Sequence, residues 1–388
     1  MLAGLFVLKV LAGVSYGYIY SRIPEHQIYA DTWRFFYESK QETDLLFNNP
    51  GKYFTDIFYN PYKNGLSHLF SGNESYWSDL KSNIMVKMVS IFNLLSFKNY
   101  YIHVIFYTFF SFFGPVTLYR LYAKLYPGKT LFLIAGCFLI PSFLYWCSGI
   151  HKDGLIFACI AIAMYQMQKM TAEEGFSLKR IVYLAACIIL IFPMRNYLSI
   201  CLLPPITAWF LCHKTKRKPV LVFTIVYAIC GILFFTSRFI DPKINLPLSF
   251  SMKQSEFLNL KGNSYIDTSP LLPGFKSFVR NLPEAMNHAL IRPYPTEIKS
   301  LSYAPAAIEV VLLISLVLIY LFKGKKEIGQ PAVVFAFFFS MSLLMIIGYL
   351  IPFLGAIVRY RSIILPLIAT PLLCAVSGIL TPKERRYI

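Results

Sequence analysis

The chain has 388 residues, 56% hydrophobic and 14% charged, against about 45–50% and about 25% in ordinary soluble domains. Its apolar residues gather in runs such as Pro305–Phe322 and Pro331–Phe353, which hold no Lys, Arg or Asp and a single Glu309; this excludes a soluble enzyme whose helices keep a polar face throughout. The net charge of +18 lies largely in short connections between the runs, where it orients a membrane protein and gives no ground for a nucleic-acid partner.

In chain order, membrane spans are predicted at about 1–20, 100–122, 130–150, 154–170, 181–195, 197–212, 219–237, 304–322, 331–353 and 362–380. The expected fold class is all-α: a polytopic transmembrane bundle of about ten helices, one integral membrane domain over 1–388 with two long polar segments at 21–99 and 238–303. The first run carries Lys9 but has neither a basic n-region nor a small-residue cleavage site, so it reads as a span and not as a cleaved signal peptide. Basic residues favour one alternate set of connections: Lys124 and Lys129, Lys179 and Arg180, Lys214 to Lys218, Lys323 to Lys326, and the tail from Lys383. The positive-inside rule puts that set and both termini in the cytoplasm, and both long polar segments outside.

In the first polar segment, Ile84, Met85, Met88, Val89, Phe92 and Leu95 recur at helical spacing. They predict an amphipathic helix over Asn83–Phe97 lying on the membrane surface. The second, with its PLLPGF and IRPYPTE stretches, is predicted to be loop with short helices. Asn73-Glu74-Ser75 matches a glycosylation sequon. All eight cysteines lie in or beside apolar runs without a CxxC pair, which favours buried thiols over disulfides or a zinc site. There is no GxxxxGK[ST] and no HExxH, so ATP-driven pumping and zinc proteolysis lose support. Neither metal nor other cofactor is expected.

Four places could carry chemistry. Asp31, shortly after the first span, suits a general base for an attacking hydroxyl, or a cap for the helical-looking TWRFFYES that follows. In Ser148–Gly154, His151, Lys152 and Asp153 share one short turn. There Asp153 could cap the next helix and pair with Lys152, or stand as a second acidic candidate; a phosphate could also use Lys152 and the helix N-terminus, and the flanking glycines imply close backbone approach. Arg195, between two short apolar runs, either binds an anion or snorkels to the headgroups. Arg292-Pro293-Tyr294 and Arg359-Tyr360-Arg361 present guanidinium groups suited to phosphate oxygens, whether of a specific ligand or of anionic lipid.

With its first span, a long loop opening on Asp31, the Asn83–Phe97 helix and the closing RYRSIILPL, the chain resembles the GT-C superfamily of polytopic glycosyltransferases. Those enzymes take sugars from polyprenyl-phosphate carriers. The Ser148–Gly154 and Arg292–Pro295 stretches look like features of bacterial surface-polysaccharide proteins. The resemblance implies an enzyme of the bacterial inner (cytoplasmic) membrane. It would move a sugar from a polyprenyl-phosphate-linked donor to a glycan or lipid-linked acceptor at the extracytoplasmic face, with membrane lipids around it. It further implies acid–base roles for Asp31 and Asp153, and substrate contacts for His151, Lys152, Arg195, Arg292, Tyr294, Arg359 and Arg361. Many members pair two acidic residues in the first loop, whereas no acidic residue adjoins Asp31 here. An O-antigen or capsule polymerase or ligase, using diphosphate-linked donors, shares this layout. A lipid-linked sugar flippase would instead line its spans with polar residues, and these spans are nearly bare.

Overall fold

The computed structural model describes residues 1–22, 31–62, 75–173, 175–240, 244–262, 264–297, 304–324 and 329–380. Tyr29 and Ala30, Asn73 and Glu74 of the sequon, Lys325, Lys326 and the basic tail lie outside them. Among the described residues there is no strand, only an isolated bridge between Tyr265 and Phe353. The chain divides into two compact units.

The first unit comprises residues 1–114, 143–163 and 178–200. It contains α1 (Leu2–Ser21), α2 (Asp31–Asn48), the short α3 (Pro50–Thr55) and α4 (Tyr76–Ser96). The helix expected over Asn83–Phe97 thus begins earlier. Ser75 caps it, accepting from the Ser78 N–H, and it ends where Phe97 turns left-handed at φ 51°. α2 and α4 pair through buried faces, Thr32, Phe36, Ser39 and Thr43 on one and Met85, Val89, Asn93 and Ser96 on the other, positions that recur every three or four residues on each helix. Polar bonds lock the register: Asn93 Nδ2 donates to Ser39 Oγ at 2.9 Å and Thr43 Oγ1 at 3.1 Å. Lys87 bridges Glu42 and Asp56, both at 2.7 Å. Burial disfavours its charge, but the two carboxylates outweigh that and hold Lys87 protonated above the ordinary lysine range. Beside this bridge, Tyr59, Tyr76 and Asp79 help to line a cavity of about 220 Å³.

The second unit comprises residues 115–142, 164–177 and 201–388. α6 (Thr130–Phe138) packs on the final helix, α17 (Leu365–Leu380), where Gly136 lies against Thr370 with no room for a side chain. α11 (Pro219–Ile240), α12 (Leu246–Leu258), α13 (Phe275–Leu290) and α15 (Pro331–Leu350) share an aromatic core of Phe234, Phe250, Phe278 and Tyr349. Tyr349 satisfies its buried hydroxyl by donating to the Phe278 carbonyl at 2.6 Å. α12 and α13 make the second polar segment more helical than its prolines suggest. α14 (Ala304–Lys323) carries the buried Glu309, which accepts from the Ser142 N–H at 2.7 Å, at the start of the short α7 (Pro141–Trp146).

Among the described residues six helices are long and apolar enough to cross a membrane: α1, α5 (Tyr100–Leu125), α8 (Lys152–Gln168, continued to Glu173), α11, α14 and α15. α16 (Leu354–Ser362) and α17 make a seventh if the pair, bent by 64°, counts as one broken span. The remaining expected spans fall on helices that are short or, as in α10, long enough but less apolar, and proline is one reason. Residues 130–150 divide into α6 and α7 because Pro141 has no N–H to continue the ladder and disfavours helix at Ile140. α9 (Leu178–Met194) has 17 residues, roughly 26 Å at the helical rise against about 30 Å of hydrocarbon. α10 (Asn196–Thr215) contains Pro204 and Pro205 and ends in His213 and Lys214.

Candidate active site

The first unit assembles its charged groups from three pieces of chain. The N-terminus of α2 is one. Trp33 donates from Nε1 to the Gly17 carbonyl at 3.0 Å and stacks on Tyr100 at 3.9 Å. Thr32 shares a 2.7 Å hydrogen bond with the Tyr100 hydroxyl, and Gly17 has no room for a side chain beside that ring. With Thr32 and Trp33 pinned in this way, Asp31 stands in the first turn, where the helix dipole favours a carboxylate. Arg34 lies one turn on, 3.8 Å from Asp31 and 3.9 Å from Glu38.

The second piece is the turn before α8. Its glycines work by close approach: a side chain at Gly149 would meet Tyr16, and one at Gly154 would meet the Cys147 carbonyl. From α1, Lys9 reaches the turn, donating to the Cys147 carbonyl at 2.5 Å and to Ser148 Oγ at 3.2 Å. Lys9 is only 2% exposed, so this charge in a span-length helix is matched to a helix-terminal carbonyl. His151 is buried and stands edge-on to Tyr16 at 4.7 Å.

The third piece is the junction of α9 and α10. Arg195 Nη2 meets Asp153 at 2.5 Å, both side chains buried, and its Nη1 donates to the Tyr197 hydroxyl at 3.4 Å. The pair ties α8 to this junction. Lys152, half-buried, stands over the Phe35 ring at 5.4 Å. Burial, more than any neighbour, disfavours the charge on Lys152; Asp31 within electrostatic reach opposes that, while Arg195, Arg34 and Lys81 add to it. Asp31 and Lys152, far apart in sequence, therefore share one locality with three further cations.

No family model matches this chain, and no match is found among curated proteins or solved structures.

In the second unit, Arg361 is 2% exposed. Its Nη1 donates to the carbonyls of Ala289 at 3.0 Å, Leu290 at 3.5 Å and Arg292 at 2.9 Å, closing the end of α13. Arg292 pairs with Glu297 at 3.4 Å and lies over the Tyr294 ring. Tyr294 in turn donates its hydroxyl to Asn287 Oδ1 at 2.7 Å. Arg359 is half-buried on α16. Arg292, Tyr294 and Arg361 therefore meet around residues 289–297.

Sequence reasoning missed Arg34 and Lys81, whose charges look ordinary inside a polar segment. It also missed the partnership of Asp153 with Arg195. Gly13-Val14-Ser15-Tyr16-Gly17 has the GxSxG spacing of a serine-hydrolase elbow but lies within continuous helix α1 and not at a strand-to-helix turn. Its glycines serve packing: a side chain at Gly13 would meet the Ser148 carbonyl. Among the described residues no three His, Cys, Asp or Glu side chains converge as metal ligands would.

Proposed function

We propose that this chain is a multi-pass membrane glycosyltransferase that takes its sugar from a polyprenyl-phosphate-linked donor and works at the extracytoplasmic face of a bacterial cytoplasmic membrane. The observation that supports it most is that Asp31 and Lys152 lie within electrostatic reach of each other and of Arg34, Lys81 and Arg195, a locality in which Glu38 and Asp153 already pair with Arg34 and Arg195. In this reading the shorter helices complete about ten passes, and the basic connections keep both termini in the cytoplasm.

Asp31 takes the proton of the acceptor hydroxyl. The hydroxyl oxygen bonds to the anomeric carbon of the donor, and the bond from that carbon to the phosphate oxygen breaks. Its electron pair leaves with the lipid phosphate, whose charge Lys152, Arg34 and Lys81 stabilise. The buried Asp153–Arg195 pair positions Lys152 and His151. Arg361 and Arg292, engaged with carbonyls and Glu297, keep residues 289–297 in shape, so the donor phosphate falls to the cations around Asp31.

The test is Asp31→Asn in the full chain, reconstituted in vesicles with a polyprenyl-phosphate sugar and a glycan acceptor. Loss of the general base lowers transfer by about 10²-fold or more, with expression unchanged. Full transfer by the variant would remove Asp31 as base.

A further inference from the structure

On the first unit, α1 and the start of α5 leave a groove of about 610 Å³ lined by Val14, Ser15, Tyr18, Ile19 and Tyr101. Tyr18 and Ile19 are 50% and 45% exposed, so the groove opens on whatever surrounds α1. For a helix of this length and hydropathy the surroundings are hydrocarbon. At the end of α1 stands Arg22, exposed, its guanidinium 5.0 Å from the Tyr18 ring. An apolar trough that ends in a cation matches a hydrocarbon chain that ends in a phosphate.

The groove lies near the first turn of α2. Tyr101 stands edge-on to Trp33 at 6.5 Å, Trp33 donates to the Gly17 carbonyl of α1, and Asp31 occupies the same turn of α2 as Trp33. A chain lying along Val14–Ile19 therefore delivers its headgroup next to the carboxylate. Inside a bilayer, water exclusion contributes nothing to such docking. Selectivity has to come from shape and from the charged end.

We infer that this groove is the seat of the hydrocarbon chain of a polyprenyl phosphate, with Arg22 meeting the phosphate. The choice of lipid rests on the transferase reading; the groove and its cation do not.

The full chain, held in phosphatidylethanolamine–phosphatidylglycerol nanodiscs, is irradiated with a sugar-free polyprenyl phosphate carrying a diazirine in its chain, and the adducts are mapped by mass spectrometry. Adducts concentrate on residues 14–19 and Tyr101, and unlabelled polyprenyl phosphate displaces them. Ser15→Trp, which fills the groove, abolishes them; Ile19→Trp, at a site already exposed, serves if the first variant does not fold. Arg22→Gln weakens competition by about tenfold, as loss of one charge-assisted contact would. Even labelling of every lipid-facing helix overturns the proposal, as does a diazirine phosphatidylglycerol that labels the same residues undisturbed by polyprenyl phosphate. Groove adducts without any sugar transfer would leave the groove standing and sink the transferase. Transfer with an unchanged KM for the carrier in Ser15→Trp would do the reverse.

Discussion

Asp153 and Arg195 illustrate what a single buried charge demands. Each is nearly shut off from solvent and each neutralises the other at 2.5 Å. Removing one leaves its partner charged, buried and uncompensated, a state that typically costs about 3–5 kcal/mol. Arg195→Leu should therefore lower unfolding stability in mixed micelles by that order, and the double variant Asp153→Leu/Arg195→Leu should recover most of it. A small effect in the single variant would show that the pair is not buried as described. The sequence marked both residues, because a charge beside an apolar run is conspicuous. It could not say that they were partners, since pairing across helices depends on packing. The same limit hid Lys9, which looked like a blemish in a span until its acceptors at Cys147 and Ser148 were seen.

At the scale of elements, helical periodicity was readable and helix continuity was not. Asn83–Phe97 is helical within α4, but its buried face is Met85, Val86, Val89, Ser90, Asn93 and Ser96 while Leu95 of the expected stripe is exposed; the expected span at 130–150 breaks at Pro141 and the polar segment at 238–303 yields two substantial helices. Hydropathy alone registers apolar content and is blind to a missing N–H. α13 carries a measurable consequence of its burial. His288 on that helix is held below the ordinary imidazole value of 6.5, first by burial and then by Arg292, with Glu284 and Glu297 opposing. Below that value the unfolded chain binds more protons than the native one, so stability rises with pH through this window and falls on acidification. The drop in thermal stability between about pH 7 and about pH 5 should shrink in His288→Leu. An identical drop in the variant would assign it to other groups.

For the whole molecule, composition was the most legible feature: the apolar runs announced a membrane protein, and among the described residues six helices are long and apolar enough to cross a membrane. The number of passes was less legible, because α6, α7 and α9 are too short, and α10 not apolar enough, for length and hydropathy to decide. How distant segments assemble was not legible at all; each compact unit draws on three separate stretches of sequence. Orientation is open to direct measurement. A reporter active only in the cytoplasm should work when fused after Lys218 and fail when fused after Asn48, at the end of α2. Activity at both points, or the reverse pattern, would overturn the proposed orientation.

Lys9 also bears on how the chain is made. Its acceptors lie 138 and 139 residues downstream, a distance that ribosomes cover in on the order of ten seconds. Until that stretch emerges, the first helix sits in the translocon or bilayer with a cation worth about 3 kcal/mol against insertion, drawn toward one headgroup layer. Its final depth is set only when the later hairpin arrives to claim the ammonium, so this helix, made before the turn that holds it, settles only after that turn.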